Sequence, residues 1–174
     1  PYVFSDALTM ALTLDKAMTK HVVRSQGVPT AEFALIEKVA DIAKIDLPFP
    51  LFLKPVAEGS GKGVNAKSKV NDKKALAATA KDLLRKFHQP VLVETFLSGR
   101  EFTVGITGTG EDAKVLGVTE IVPLAGWVGD GYGLENKSEG WEERVTIERV
   151  THLPEAKHAA DVALAAWRAL RCRD

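Results

Sequence analysis

Apolar and polar positions along the chain alternate between two periods, and the changes of period mark the elements. Between residues 5 and 26, Leu14, Met18 and Val22 keep helical spacing, which predicts one helix with those side chains turned to a core. Ser5 stands at its N-cap position, and Gly27 followed by Val28-Pro29 ends the pattern. Residues 30–35 predict a strand and residues 38–45 a short helix. Pro48-Phe49-Pro50 breaks the chain before Leu51-Phe52-Leu53, a short apolar run that predicts a buried strand ending at Lys54. A loop over 55–63 leads into a strand expected near Val64. Asn71 and Asp72 open a second strong helix, whose stripe is Leu76, Ala80, Leu83, Leu84 and Phe87.

The second half reads mostly as strands. Pro90 introduces Val91-Leu92-Val93, and Ser98-Gly99 turns the chain. From Arg100 to Thr107 the pattern has period two: Phe102, Val104 and Ile106 share one face, Glu101 and Thr103 the other. Gly108-Thr109-Gly110 then turns the chain into a hairpin partner over 114–122. Residues 125–140 carry five glycines and predict a long loop, a kind that is usually functional or mobile in compact domains. A strand over 144–150 follows, and Pro154 opens a last helix with Ala160, Leu164, Trp167 and Leu170 on its buried side. The order predicts a mixed α+β fold with antiparallel sheets and flanking helices.

Composition narrows the function classes. The chain has 174 residues, enough for one domain or two small lobes. Its 23 basic residues balance 23 acidic ones, so the basic excess expected of a nucleic-acid binder is absent. No apolar run reaches the length of a membrane span and no signal-peptide pattern opens the chain, so it reads as cytoplasmic. The lone Cys172 forms no internal disulfide and reads as a packing residue. The start at Pro1-Tyr2-Val3 and the stop at Arg173-Asp174 both read as cuts from something longer.

The stretch KPVAEGSGKGV, residues 54–64, carries the candidate chemistry. A P-loop needs G-x-x-x-x-G-K-[ST], but with Gly61-Lys62 aligned the first glycine falls on Val56 and the metal-binding hydroxyl on Gly63. Both ends fail, and the following residues look extended where a helix should begin. Glycines 59, 61 and 63 still let backbone N–H groups converge on an anion, with Ser60 adding a hydroxyl and Lys62 a charge. By itself the loop reads first as a plain flexible hairpin turn between two strands.

Its neighbours decide between the two. Asp15-Lys16-x-x-x-Lys20 is followed by Gly27-Val28-Pro29-Thr30, then by Phe49 through Pro55, Glu58 through Val64, and Val93-Glu94-Thr95-Phe96-Leu97-Ser98-Gly99-Arg100-Glu101-Phe102. In order and gap this set resembles the D-alanine–D-alanine ligases of the ATP-grasp superfamily, over nearly the whole chain. Pro1-Tyr2-Val3-x-Ser5-Asp6 and Leu170-Arg171-Cys172-Arg173-Asp174 resemble stretches of the same family. The resemblance implies an ATP-grasp fold whose first lobe is complete in 1–97 and whose second is partial in 98–174.

It also implies roles. The family holds ATP between two antiparallel sheets. Lys16 and Lys54 match its phosphate-contacting lysines, and Glu58, Gly59, Ser60, Gly61, Lys62 and Gly63 match its glycine-rich lid. Glu94, Thr95, Phe96 and Leu97 match the segment whose backbone reads adenine, and Glu101 matches the acid on the ribose hydroxyls. Lys137 matches a lysine near the γ-phosphate and, with Ser60, stands at a catalytic position. The implied reaction is ligation of two amino acids through an acylphosphate, with release of ADP and phosphate, for peptidoglycan precursors. The family is commonly dimeric.

Two positions depart from the family. Gly61 stands where a second serine is usual, and Ser138 where an aromatic commonly frames the acceptor site. The family's magnesium ligands lie in strands past the stretch matching 170–174, so no metal ligand is assigned to this chain and ligation by these residues alone is not expected. Two further readings stay open: an ATP-grasp carboxylate–amine ligase with another acceptor, and a non-catalytic ATP-binding module.

Overall fold

Asp15 divides the N-terminal helical segment in two. Its backbone leaves helical geometry at ψ 104°, ending α1 (Ala7–Leu14), and its carboxylate accepts from Met18 N at 2.9 Å to start α2 (Lys16–Ser25). The N-cap of α1 is Asp6, not Ser5, accepting from Thr9 N at 3.0 Å. Restarting the helix shifts its phase, and the expected core stripe fails. Leu14 and Met18 are 54% and 51% exposed, while Ala17 and Val23 are the buried positions of α2. The computed structural model describes residues 4–127, 129, 130 and 132–174 (Glu135 by its backbone). The Pro1-Tyr2-Val3 stretch and Gly131, one of the five loop glycines, lie outside the described residues.

The chain forms two compact units, one of residues 31–98 and 125–144, the other of residues 1–30, 99–124 and 145–174. The expected division at 97/98 separates the two sheets. Each unit nevertheless draws on separate stretches, since 1–30 join the second sheet and 125–144 the first.

In the first unit, β1 (Phe33–Ile36), β2 (Leu51–Pro55), β3 (Lys69–Val70) and β4 (Val91–Thr95) make an antiparallel sheet in the order β1-β4-β2-β3. Its core face is the alternate set Ile36, Leu51, Leu53, Val70, Val91 and Val93, packed on Leu76, Ala80 and Leu83 of α3 (Lys73–Phe87). The α3 stripe follows the sequence pattern, and Asp72 caps it by accepting from Ala75 N at 2.8 Å. The strand expected near Val64 begins only at Lys69. Asn65 turns the intervening chain, its side chain accepting from Lys67 N at 2.8 Å and its carbonyl from Ser68 N at 2.9 Å. The helix expected over 38–45 is a 3-10 turn, Val39–Lys44.

In the second unit, β5 (Glu101–Thr107), β6 (Lys114–Pro123) and β7 (Val145–Arg149) form an antiparallel meander. Phe102, Val104 and Val118 pack with Val150 against Ala156 and Ala160 of α4 (Pro154–Ala169). Thr9 of α1 donates to Leu170 O at 3.1 Å, tying the N-terminal helix to the end of α4.

Arg100 donates to both oxygens of Glu120 across this sheet, at 2.6 Å each. These bonds hold the Glu120 carboxyl below its ordinary 4.5, against the opposing desolvation. A depressed folded-state pKa contributes stability that is complete above the unfolded value and is lost as pH falls through the folded one. The Tm difference between wild type and Arg100→Gln is therefore expected to shrink from about pH 6 to about pH 3 in calorimetric scans. A difference that stays constant across that window refutes the linkage.

Candidate functional site

Strand alternation places the first unit's chemistry on the sheet face away from α3. Register pairs Phe52 with Glu94 and with Lys69, and Lys54 with Leu92, so Phe52, Lys54, Lys69 and Glu94 share that face. Lys54 Nζ pairs with Glu94 Oε1, their side chains 24% and 13% exposed. The rings of Phe52 and Phe96 lie 6.1 Å apart. Lys69 Nζ stands 4.4 Å over the Phe96 ring and 3.0 Å from Asp130 Oδ1. The result is an apolar platform edged by two ammonium groups, suited to a flat ring bearing an anionic tail.

The segment matched to adenine readout is partly engaged by the protein itself. Thr95 N donates to Glu32 O at 2.9 Å and Phe96 N to Pro50 O at 3.0 Å. Those two amides are already used within the fold. Leu97 stands 72% exposed just past them.

The glycine-rich loop leaves β2 after Pro55 and makes two successive tight turns. Lys62 N donates to Gly59 O and Val64 N to Gly61 O, each at 3.0 Å. Ser60, Gly61 and Gly63 hold positive φ of 53°, 78° and 85°. The three glycines have separate reasons. A Cβ on Gly59 would meet nothing within 4 Å. One on Gly61 would lie 2.9 Å from Leu134 N, and one on Gly63 would lie 2.6 Å from Pro55 Cγ. Only Gly59 faces open space. Gly63 serves packing, and Gly61 serves a close approach to another loop.

That other loop carries Lys137. A Cβ on Gly133 would lie 3.1 Å from Val64 Cγ1, so the backbones of 61–64 and 133–134 abut. Lys137 ends a 3-10 turn, Glu135–Lys137, with its Nζ 4.4 Å over the Tyr132 ring. Tyr132 stacks on Trp127 at 6.0 Å, and Trp127 Nε1 donates to Gly129 O at 2.9 Å. Within this unit the structure therefore gathers Lys54, Glu58, Ser60, Lys62, Glu94 and Lys137. Lys16, the first residue of α2, and Glu101, exposed at the start of β5, belong to the other unit.

Lys69, Asp130 and the Phe52–Phe96 platform were not singled out by sequence reasoning. The available signal was the alternation of Phe52 with Leu51 and Leu53, which puts Phe52 on the Lys54 face. Among the described residues no three His, Cys, Asp or Glu side chains gather into a group that could hold a metal ion.

Two antiparallel sheets with flanking helices, the lysine-bearing strand and the glycine-rich loop define an ATP-grasp fold. The family model described as "D-ala D-ala ligase C-terminus" matches residues 22–174, and the chain belongs to that family. Curated D-alanine–D-alanine ligases of Bordetella petrii and Polaromonas naphthalenivorans are 37% and 34% identical over 99% of the chain. The matches cover 51% and 53% of those relatives, so the chain spans about half their length. Among solved structures, the VanG D-Ala:D-Ser ligase of Enterococcus faecalis superposes with a TM-score of 0.77 at 25% identity, covering 99% of this chain and 49% of that one. The ATP complex of the Bacillus anthracis D-alanine–D-alanine ligase superposes at 0.70 with 23% identity, covering 99% and 52%.

Proposed function

We propose that this chain is the ATP-binding part of a D-alanine–D-alanine ligase or close homologue serving peptidoglycan precursor synthesis. The observation that carries the reading is the abutment of the 61–64 and 133–134 backbones, which brings the glycine-rich loop and the Lys137 loop together in the unit that also holds Lys54. In this reading Lys16 and Lys54 hold the ATP phosphates, and residues 58–63 close over them with Ser60 donating its hydroxyl. Lys137 faces the γ-phosphate. Phe96 and Leu97 flank the adenine, with Glu94 and Thr95 lining its edge, and Glu101 takes the ribose hydroxyls.

A donor carboxylate oxygen then attacks the γ-phosphorus, and ADP departs with the bonding electrons. The acceptor amine attacks the acylphosphate carbon, sheds a proton and expels inorganic phosphate. Residues of this chain position and neutralise; none makes a covalent bond. Mg2+ belongs to the same proposal, with its ligands in strands past the stretch matching 170–174. The whole protein is proposed to be a cytoplasmic homodimer. No described helix is long and apolar enough to cross a membrane.

Titration calorimetry with ATP tests the reading on this chain. Binding is expected, and Lys16→Ala is expected to weaken it about tenfold, the loss of one charge-assisted contact. No heat with the wild-type chain would sink the nucleotide reading. A second reading rests on Ser138, which replaces the expected aromatic, and on the likeness to a D-Ala:D-Ser ligase. Phosphate release by the full-length protein with D-alanine against D-serine as acceptor separates the two.

A further inference from the structure

Gln89 lies outside every motif noted above, in the turn between α3 and β4. His88 before it takes a left-handed conformation at φ 52°, capping α3 with its N–H on Leu84 O at 3.1 Å. This turn aims the Gln89 side chain at the root of the glycine-rich loop. Gln89 Oε1 accepts from Ala57 N at 2.7 Å, and Gln89 Nε2 donates to Glu58 Oε1 at 2.9 Å. The adjacent Pro90 O accepts from Val56 N at 3.0 Å. The orientation of the amide follows from its partners: an N–H needs an acceptor and a carboxylate needs a donor, and one orientation satisfies both. The second oxygen of Glu58 holds Lys62 Nζ at 3.1 Å.

We infer that Gln89 is a positioning residue for the glycine-rich loop. It fixes the loop's root at Ala57 and aims Glu58, and Glu58 in turn holds the Lys62 ammonium at rest. An arriving polyphosphate would compete with Glu58 for Lys62 while the root stays anchored, so the loop closes about a fixed base. The inference rests on the phosphate-binding reading of residues 58–63, and it assigns the loop's geometry to a side chain 31 residues distant from Glu58 in sequence.

The test uses this chain and a polarity swap. Gln89→Glu keeps the acceptor for Ala57 but sets a second carboxylate against Glu58. It is expected to weaken ATP binding about tenfold. It should also speed amide hydrogen exchange across residues 57–64 in the nucleotide-free chain. Adding Glu58→Gln restores a donor–acceptor pair with reversed polarity. The double variant should return to within about threefold of Glu58→Gln alone in ATP affinity, a coupling that distant, independent sites do not show. Its exchange should slow again.

A Gln89→Glu chain with wild-type affinity and exchange overturns the inference. So does a double variant whose losses simply add. Exchange alone decides the anchoring if the wild-type chain binds no ATP, a result that would sink the nucleotide reading separately. A general packing role would lower Tm in both variants without the reciprocal rescue.

Discussion

Lys54→Met is expected to weaken ATP binding by this chain roughly 30- to 100-fold, about 2–3 kcal/mol, at the upper end for a charge-assisted contact. The lysine sits in β2 between the buried residues Leu53 and Pro55, so its stem is fixed and the ammonium chooses the partner. In the nucleotide-free fold that partner is Glu94. Methionine keeps the length of the stem and leaves Glu94 without its cation. Because Glu94 is 13% exposed, a loss of stability of about 1–2 kcal/mol should accompany the change. Stability and affinity must therefore be read separately, with Tm from calorimetry and Kd from titration at a temperature where both chains are folded. Glu94→Gln separates the effects further. It removes the competing carboxylate and leaves the Lys54 ammonium available to phosphate, so its loss of triphosphate affinity should be smaller than that of Lys54→Met. An unchanged Kd for ATP in Lys54→Met would remove Lys54 from the site.

The strands other than β3, and α3, were legible because their periods are clean. The alternation from Phe102 to Ile106 and the stripe from Leu76 to Phe87 match the observed burial in direction. The break at Asp15 was not legible as a break, since an aspartate inside an apolar-periodic stretch is also a tolerated helix residue. Its capping bond to Met18 N appears only once the backbone turns. The same limit explains the strand expected near Val64. Asn65 satisfies the local backbone through its own side chain, a choice that apolar patterning does not register. At the site, sequence adjacency marked the glycine-rich loop and Lys54. Gln89 and Lys69 act there through space, on elements whose own patterns concern the core and the solvent, so no local signal singled them out.

The glycines of the loop yield the other large effect, and two substitutions should separate packing from closure. Gly63→Ala combines a left-handed backbone at φ 85° with a Cβ placed 2.6 Å from Pro55 Cγ and 3.0 Å from Phe87 Cζ. The proline ring is closed and ends β2, and Phe87 packs on the core cluster, so neither retreats cheaply. Backbone strain of about 1–2 kcal/mol and overpacking of about 1–3 kcal/mol point to a total near 3 kcal/mol. For a chain of this size that is a fall in Tm of about 6–12 °C. Gly61→Ser, which installs the residue usual in the family, meets backbone instead: Leu134 N at 2.9 Å and Gly133 C at 3.0 Å. The relief available is a shift of the Lys137 loop away from residues 61–64. Backbone strain and overpacking of the same sizes point to a loss of stability like that of Gly63→Ala, and it should come with an ATP affinity about tenfold weaker. Equal Tm losses with unchanged affinity in both variants would show the abutment of the two loops to be packing alone. A loss of affinity confined to Gly61→Ser would tie this chain's glycine at that position to the close approach of the loop that carries Lys137.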